Sequence, residues 1–193
     1  MLLVSLPIGL FSGVCVALLE FVCNAVLWNH LSKTPLYFRL LLPIIGLLIS
    51  GWALERLGVR SIGMLNEVVI HYHAPPHEIS LTDDTLKAGA CVATVGLGAS
   101  AGLGGPSQWL GTRIALYLRH YLSHWRILRG LSRQHVLLIG ASSGVSAIFR
   151  APLAGTLLAL ETPFSKDLDG TALLPASIAA FSAHFAHGLG QWF

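Results

Sequence analysis

The chain has 193 residues, 54% of them hydrophobic and only 11% charged, with a net charge of +3 and a mean hydropathy of +0.69. A soluble domain carries roughly 45–50% apolar and about 25% charged residues, so twelve Lys+Arg and nine Asp+Glu argue against a soluble enzyme or nucleic-acid binder, and the apolar content excludes disorder. What remains is an integral membrane protein of several spans, short for a polytopic transporter.

In chain order, Met1 to about Trp28 is long enough to cross a bilayer, with Glu20 as its only charge. It lacks the basic start of a signal peptide. A second span is predicted near Leu36–Leu57, containing Pro43 and ending in Glu55 and Arg56. Gly58 to Thr85 turns polar, with His71, His73, Pro75, Pro76, His77, Glu78, Asp83 and Asp84, and is expected to be an extramembrane connector. Leu86 to about Leu103 is apolar and rich in Gly, Ala and Ser. Pro106 starts a helix to about Tyr121, a place where its missing N–H costs nothing.

Arg113, Arg119, Arg126, Arg129 and Arg133 then form a basic stretch with no acid among them, a pattern of cytoplasmic loops. His135–Phe149 and Pro152–Leu160 are apolar pieces too short to span, broken at Arg150-Ala151-Pro152, and a last segment runs from about Thr171 to Phe193. Broken backbone at membrane depth survives only when buried in protein or lining a wet cavity. Such interruptions, here at 102–106 and 150–152, are the best sequence pointers to a transport site. Close packing of small residues, as at Gly140 and Gly144, is a second and compatible role. Cys15, Cys23 and Cys91 sit in apolar runs and read as buried hydrophobes.

Several motifs carry no chemistry. Gly98-Ala99-Ser100-Ala101-Gly102 and Gly140-Ala141-Ser142-Ser143-Gly144 match the nucleophile elbow G-x-S-x-G. They lack the strand, the sheet and the downstream acid and His that a hydrolase needs. Residues 96–102 resemble a dinucleotide loop with one residue too many and no βαβ unit. His71, His73, His77 and Glu78 have zinc-ligand chemistry, but in a Pro-Pro connector they read as solvated or interfacial. His184 and His187 sit three apart on the last segment. Glu20 and Glu161 are intramembrane acids, functional by default; for Glu161, which ends a short apolar piece, an interfacial place is the other reading. No metal, cofactor or enzymatic activity is expected.

The sharpest constellation is Gly102-Leu103-Gly104-Gly105-Pro106-Ser107 opening one helix, with Leu153-Ala154-Gly155 opening another. A helix N-terminus offers unpaired N–H groups and about half a positive charge. At membrane depth it binds an anion without a full cation, weakly enough to let it leave. Glycines before Pro106 let the backbone approach the ion.

These residues resemble the CLC family of chloride channels and chloride/proton antiporters. Residues 100–111, Ser-Ala-Gly-Leu-Gly-Gly-Pro-Ser-Gln-Trp-Leu-Gly, are similar to the family's S-A-G-[RK]-E-G-P-x-x-x-[IL]-G signature. Residues 140–161, from Gly140 through Phe149-Arg150-Ala151-Pro152-Leu153-Ala154-Gly155 to Glu161, are similar to its G-A-[AS]-[AS]-G-[LV]-[AS]-A-x-F-[NR]-A-P-[LI]-A-G-x-x-F-x-[LI]-E stretch.

The resemblance implies an all-α integral membrane protein with broken and re-entrant helices. In the family, each subunit of a homodimer builds its own pore from two inverted-topology repeats. Residues 1–193 would be the first repeat, the N-terminal half of a CLC-type voltage-gated chloride channel membrane domain. Segments 135–161 and 171–193 correspond to regions at the family's dimer interface. The partners implied are chloride or a similar anion, membrane lipid, a second copy and the missing C-terminal half of the pore. Nucleic acid is not among them. The implied location is a bacterial inner membrane.

The signature's gating glutamate corresponds to Gly104 and its basic neighbour to Leu103. The antiporters' inner proton glutamate corresponds to Thr162. With both carboxylates absent, the resemblance implies passive anion conduction. The alternatives are a chloride/proton antiporter using Glu20 or Glu161, or a truncated, non-transporting fragment. Anion contact is assigned to Gly104, Gly105, Pro106 and Ser107. Ser61 is a second candidate, since Arg60-Ser61-Ile62-Gly63 keeps the serine but not the proline of the family's early G-S-G-I-P loop; an ordinary interfacial serine is the other reading.

Overall fold

A computed structural model describes residues 2–31, 33–59, 63–73, 80–121, 132–163 and 170–190, and the described residues are helical with turns between. Helix α1 (Leu2–Glu20) passes into a π-helical segment (Phe21–Trp28) and a last turn, α2 (Asn29–Leu31). There follow α3 (Leu36–Arg56), α4 (Met64–His73), α5 (Leu81–Gly96), α6 (Gly104–Tyr121), α7 (Arg133–Phe149), α8 (Pro152–Glu161) and α9 (Gly170–Gly190). Among the described residues, three stretches are long and apolar enough to cross a membrane: Val4–Asn24, Leu36–Arg56 and Gly170–Gly190.

Helices α1, α6, α7 and α9 make the core. Small residues bring their backbones together: a Cβ on Gly140 would stand 2.5 Å from the Gly111 carbonyl, and Gly144 lies against Ser107 in the same way. On α1, Gly9 and Gly13 take up the backbones of Ala179 and Ala183. Serines bridge what remains, with Ser12 Oγ donating to Ser143 Oγ at 2.6 Å and Ser146 Oγ to the Ala180 carbonyl at 2.7 Å. Apolar α3 is the outlier. It packs mainly on α5 and exposes most of its large side chains, from Leu36 to Trp52, as a lipid-facing helix does.

The predicted spans and the break at Arg150 match the helices. The connector does not. Residues 64–73 form α4, which buries Glu67, Val68 and Tyr72, and α5 begins at Leu81, capped by Ser80 Oγ accepting from the Asp83 N–H. Glu67 and Asp84 there are buried in an ionic network, whereas His73 is exposed and residues 74–79 lie outside the described residues. Arg113, read as part of a cytoplasmic basic stretch, is buried on α6. Arg126 and Arg129 lie outside the described residues.

Candidate functional site

Helix α6 begins abruptly. The first helical hydrogen bond runs from the Ser107 N–H to the Leu103 carbonyl at 2.9 Å, so the N–H groups of Gly104 and Gly105 have no acceptor within the helix. Pro106 has no N–H to lose. Ser107 is fully buried, and its hydroxyl donates to the Gly104 carbonyl at 2.9 Å. The donors that this terminus leaves free are therefore the two glycine amides, with the positive end of the helix dipole behind them.

Two other helix starts lie close by. A Cβ on Gly105 would be 3.9 Å from Leu65 Cβ in the first turn of α4. That helix opens at Gly63, whose φ of +102° is glycine territory and whose carbonyl takes the Glu67 N–H at 3.0 Å. A Cβ on Gly104 would be 3.0 Å from Phe149 Cζ. Phe149 ends α7, and three residues later Pro152 opens α8 with no side-chain cap. The first turns of α4 and α6 are thus in contact, with the α7–α8 elbow against the same glycine pair. Beside them, between α3 and α5, lies a cavity of about 210 Å³ reaching from Met64 and Pro106 past Lys87 to Ser50 and Thr94.

Thr162, directly after α8, donates to the Leu158 carbonyl at 2.7 Å and accepts from Gln108 Nε2 at 3.2 Å. Gln108 sits one turn into α6, so Thr162 is tied to the helix that begins at Gly104. Glu161 is exposed. Ser61 and His77 lie outside the described residues.

A network behind the site was missed in the sequence reading. Glu67 accepts from Lys87 Nζ and, at 2.9 Å, from Trp109 Nε1. Asp84 accepts from Arg113 Nε at 2.9 Å and from Tyr117 Oη at 2.7 Å. His71 bridges the halves, with Nδ1 donating to the Glu67 carbonyl at 2.7 Å and Nε2 facing Arg113 at 3.2 Å. Helices α4, α5 and α6 are joined through buried charges. Helical spacing was the available signal: Trp109, Arg113 and Tyr117 recur every fourth residue, as do Glu67 and His71.

His71 and His73 are accounted for without metal, His73 Nε2 donating to the Pro163 carbonyl at 2.7 Å. No group of three or more His, Cys, Asp or Glu suited to a metal occurs among the described residues.

The family described as "Voltage gated chloride channel" matches residues 45–191. The chain belongs to this family. A curated CLC relative, the chloride/fluoride channel protein of Pseudomonas syringae pv. tomato (strain ATCC BAA-871 / DC3000), is 29% identical over 143 residues, 74% of this chain and 30% of the relative. The crystal structure of a CLC-type fluoride/proton antiporter superposes with a TM-score of 0.77 at 28% identity, covering 99% of this chain and 46% of that one. The chain therefore spans less than half the length of either CLC protein, and its helices fit about half of the CLC fold. The family's members are anion channels and transporters, which agrees with the spans of an integral membrane protein.

Proposed function

We propose that this chain is the N-terminal half of a CLC-type anion pore that conducts chloride or fluoride passively. The observation that carries the reading is the α6 N-terminus. Its free donors are the amides of Gly104 and Gly105, and no carboxylate stands at the gate position to compete with an anion for them. Ser107 supports the turn through the Gly104 carbonyl and Pro106 fixes it, with Ser61 kept as a second candidate ligand from the sequence alone. Partial charges hold a halide loosely enough for it to move on. Thr162 cannot carry a proton inward, and its hydroxyl is already engaged with Gln108 and Leu158.

The pore is completed by a second half and works in a homodimer in a bacterial inner membrane. The outward apolar side chains of α8 and α9, among them Leu153, Leu157, Phe181 and Phe185, suit contact with a second copy or with lipid. A second reading, proton-coupled exchange, is favoured by one feature: the acid of Glu20 lies against the imidazole of His187.

The test is reconstitution of the chain with its second half in liposomes, following anion efflux and internal pH together. Chloride or fluoride efflux without proton movement is expected. Proton uptake driven by an anion gradient would replace conduction by exchange, and absence of any flux would leave a non-transporting CLC fragment.

A further inference from the structure

Helix α3 touches its neighbour α5 over only part of its length. In its middle the two close together. A Cβ on Gly46 would stand 3.0 Å from the Ala93 carbonyl, and Ser50 Oγ lies 3.1 Å from the Ala90 carbonyl and 2.8 Å from Thr94 Oγ1. Towards the C-terminal end of α3 the helices part. Gly89 has nothing within 4 Å of its Cβ place, and a second cavity of about 200 Å³ opens there, between Ala53 and Leu57 of α3 and Thr85 and Leu86 of α5. It shares Ser50, Leu54 and Ala90 with the cavity that reaches Met64 and Pro106. The two are parts of one furrow, which follows α5 from Thr85 to Val95.

The walls decide what this furrow can hold. Water needs two to four polar partners, and the polar groups here are already engaged. The hydroxyls of Ser50 and Thr94 bond each other and carbonyls of their own helices. Thr85 Oγ1 donates to the Thr82 carbonyl at 2.9 Å, and Lys87 gives its ammonium to Glu67. A helix from a second copy needs a diameter of about 10–12 Å, wider than cavities of this volume allow. A single hydrocarbon chain fits. Thr85 and Val95 are ten positions apart, which is about 15 Å at 1.5 Å per residue. That is half of the roughly 30 Å hydrocarbon core, the depth of one leaflet. Leu57 and Gly89, at the wide end, are exposed.

The wide end also carries a polar anchor. Arg56, the last residue of α3, is exposed, and its guanidinium lies 5.6 Å from the centre of the Trp52 ring. Among the described residues it has no ion-pair partner. Trp and Arg at the end of a span sit at headgroup level. Glu55 beside it is exposed too, so the local charge is balanced and suits a single phosphodiester better than a polyphosphate.

We propose that the α3–α5 furrow is a phospholipid site. One acyl chain lies between the two helices, with its end against Met64 and Pro106, and the phosphate meets Arg56. The chain fills the space behind the first turns of α4 and α6, where a void would leave their side chains without contacts on one side. The site goes beyond the anion-pore reading and does not depend on it.

The test is photolabelling of the chain in phosphatidylcholine vesicles, doped with a phosphatidylglycerol that carries a diazirine near the end of one acyl chain. Bulk lipid labels the outward face of α3 at Leu40, Leu47 and Leu48, all exposed, and these serve as the internal standard. Ala90, Ala93 and Thr94, on the inner wall, are expected to be labelled as strongly. In Gly89→Leu the new side chain has open space to grow into, and inner-wall labelling should fall about tenfold, since a filled interior admits no second occupant. Arg56→Gln should lower it about fivefold, the worth of one basic residue at a lipid surface. Both variants should leave the α3 standard unchanged. Label confined to the outward face of α3, or inner-wall label that survives Gly89→Leu, overturns the site. Equal inner-wall label in Arg56→Gln and the parent chain overturns the phosphate contact, and with it a phospholipid as the occupant.

Discussion

Trp109 Nε1 donates to Glu67 Oε2 at 2.9 Å, and this bond fastens α6, five residues beyond Gly104, to α4, three residues beyond Met64. The two helix starts that meet at Gly105 and Leu65 are held there by a carboxylate that also receives the Lys87 ammonium. Position at the site is set by charges buried behind it.

Removing one partner of that pair should therefore cost more than removing both. A lone buried charge is left in Glu67→Gln or Lys87→Met, and breaking a buried pair from one side costs about 3–5 kcal/mol. The double variant leaves neither charge, and an apolar replacement of a whole pair is often neutral. Thermal unfolding in detergent is expected to rank the double variant above either single one. Additive losses would mean that the two side chains are not coupled.

At the proposed gate position, Gly104→Glu should slow anion flux by more than about tenfold. The new Cβ meets Phe149 Cζ at 3.0 Å, so the ring must give way. The carboxylate then lies beside the amides that the anion uses, where like charges about 4 Å apart repel by about 4 kcal/mol at an effective dielectric of about 20. Gly104→Ala adds only the steric part and should change flux far less. Equal effects of the two in an efflux assay would show that bulk, not charge, controls the site.

Much of this was legible in the sequence because period and breakage report directly on burial. Pro106 marked the first turn of α6, Arg150-Ala151-Pro152 the elbow, and Gly140 and Gly144 the close crossing. What escaped was every contact made across chain distance. Glu67 and Lys87 sit twenty positions apart, Glu20 and His187 at opposite ends of the chain, and composition cannot tell a charge that meets water from one that meets a partner. For the same reason residues 64–73 read as a connector. Its histidines looked solvated or interfacial; His73 is exposed as expected, but His71 is half-buried, and Glu67, which the composition did not single out, is buried.

Glycines in this fold should respond to alanine with opposite signs. Gly89, inside α5, has nothing within 4 Å of its Cβ place, so Gly89→Ala gains the helix propensity of roughly 0.5–1 kcal/mol. On α7, Gly140→Ala drives a methyl into the Gly111 carbonyl at 2.5 Å. Overpacking costs typically 1–3 kcal/mol, which outweighs the propensity gain. Unfolding in detergent is expected to show Gly89→Ala more stable than the parent chain and Gly140→Ala less. Stabilisation by both would mean that α6 and α7 are further apart than their glycines place them.

His71 should make stability fall in acid. It lies in α4, which at ten residues is too short to cross a bilayer. Its Nδ1 faces the Glu67 carbonyl, which only accepts, and its Nε2 faces the Arg113 guanidinium, which only donates. The ring is therefore neutral, with its proton on Nδ1. Burial lowers its pKa below the ordinary 6.5 and the Arg113 charge adds to that, against the opposing backbone hydrogen bond to Glu67. The unfolded chain then takes up this proton at a higher pH than the folded one, so stability rises with pH through the interval between the two values. It is fully present above about 6.5, falls as pH drops below that, and stops falling once the folded ring titrates. In His71→Gln this contribution is gone, and the melting temperature should decline less between pH 7.5 and 5 than in the parent. Parallel declines would show that His71 takes its proton equally well folded and unfolded.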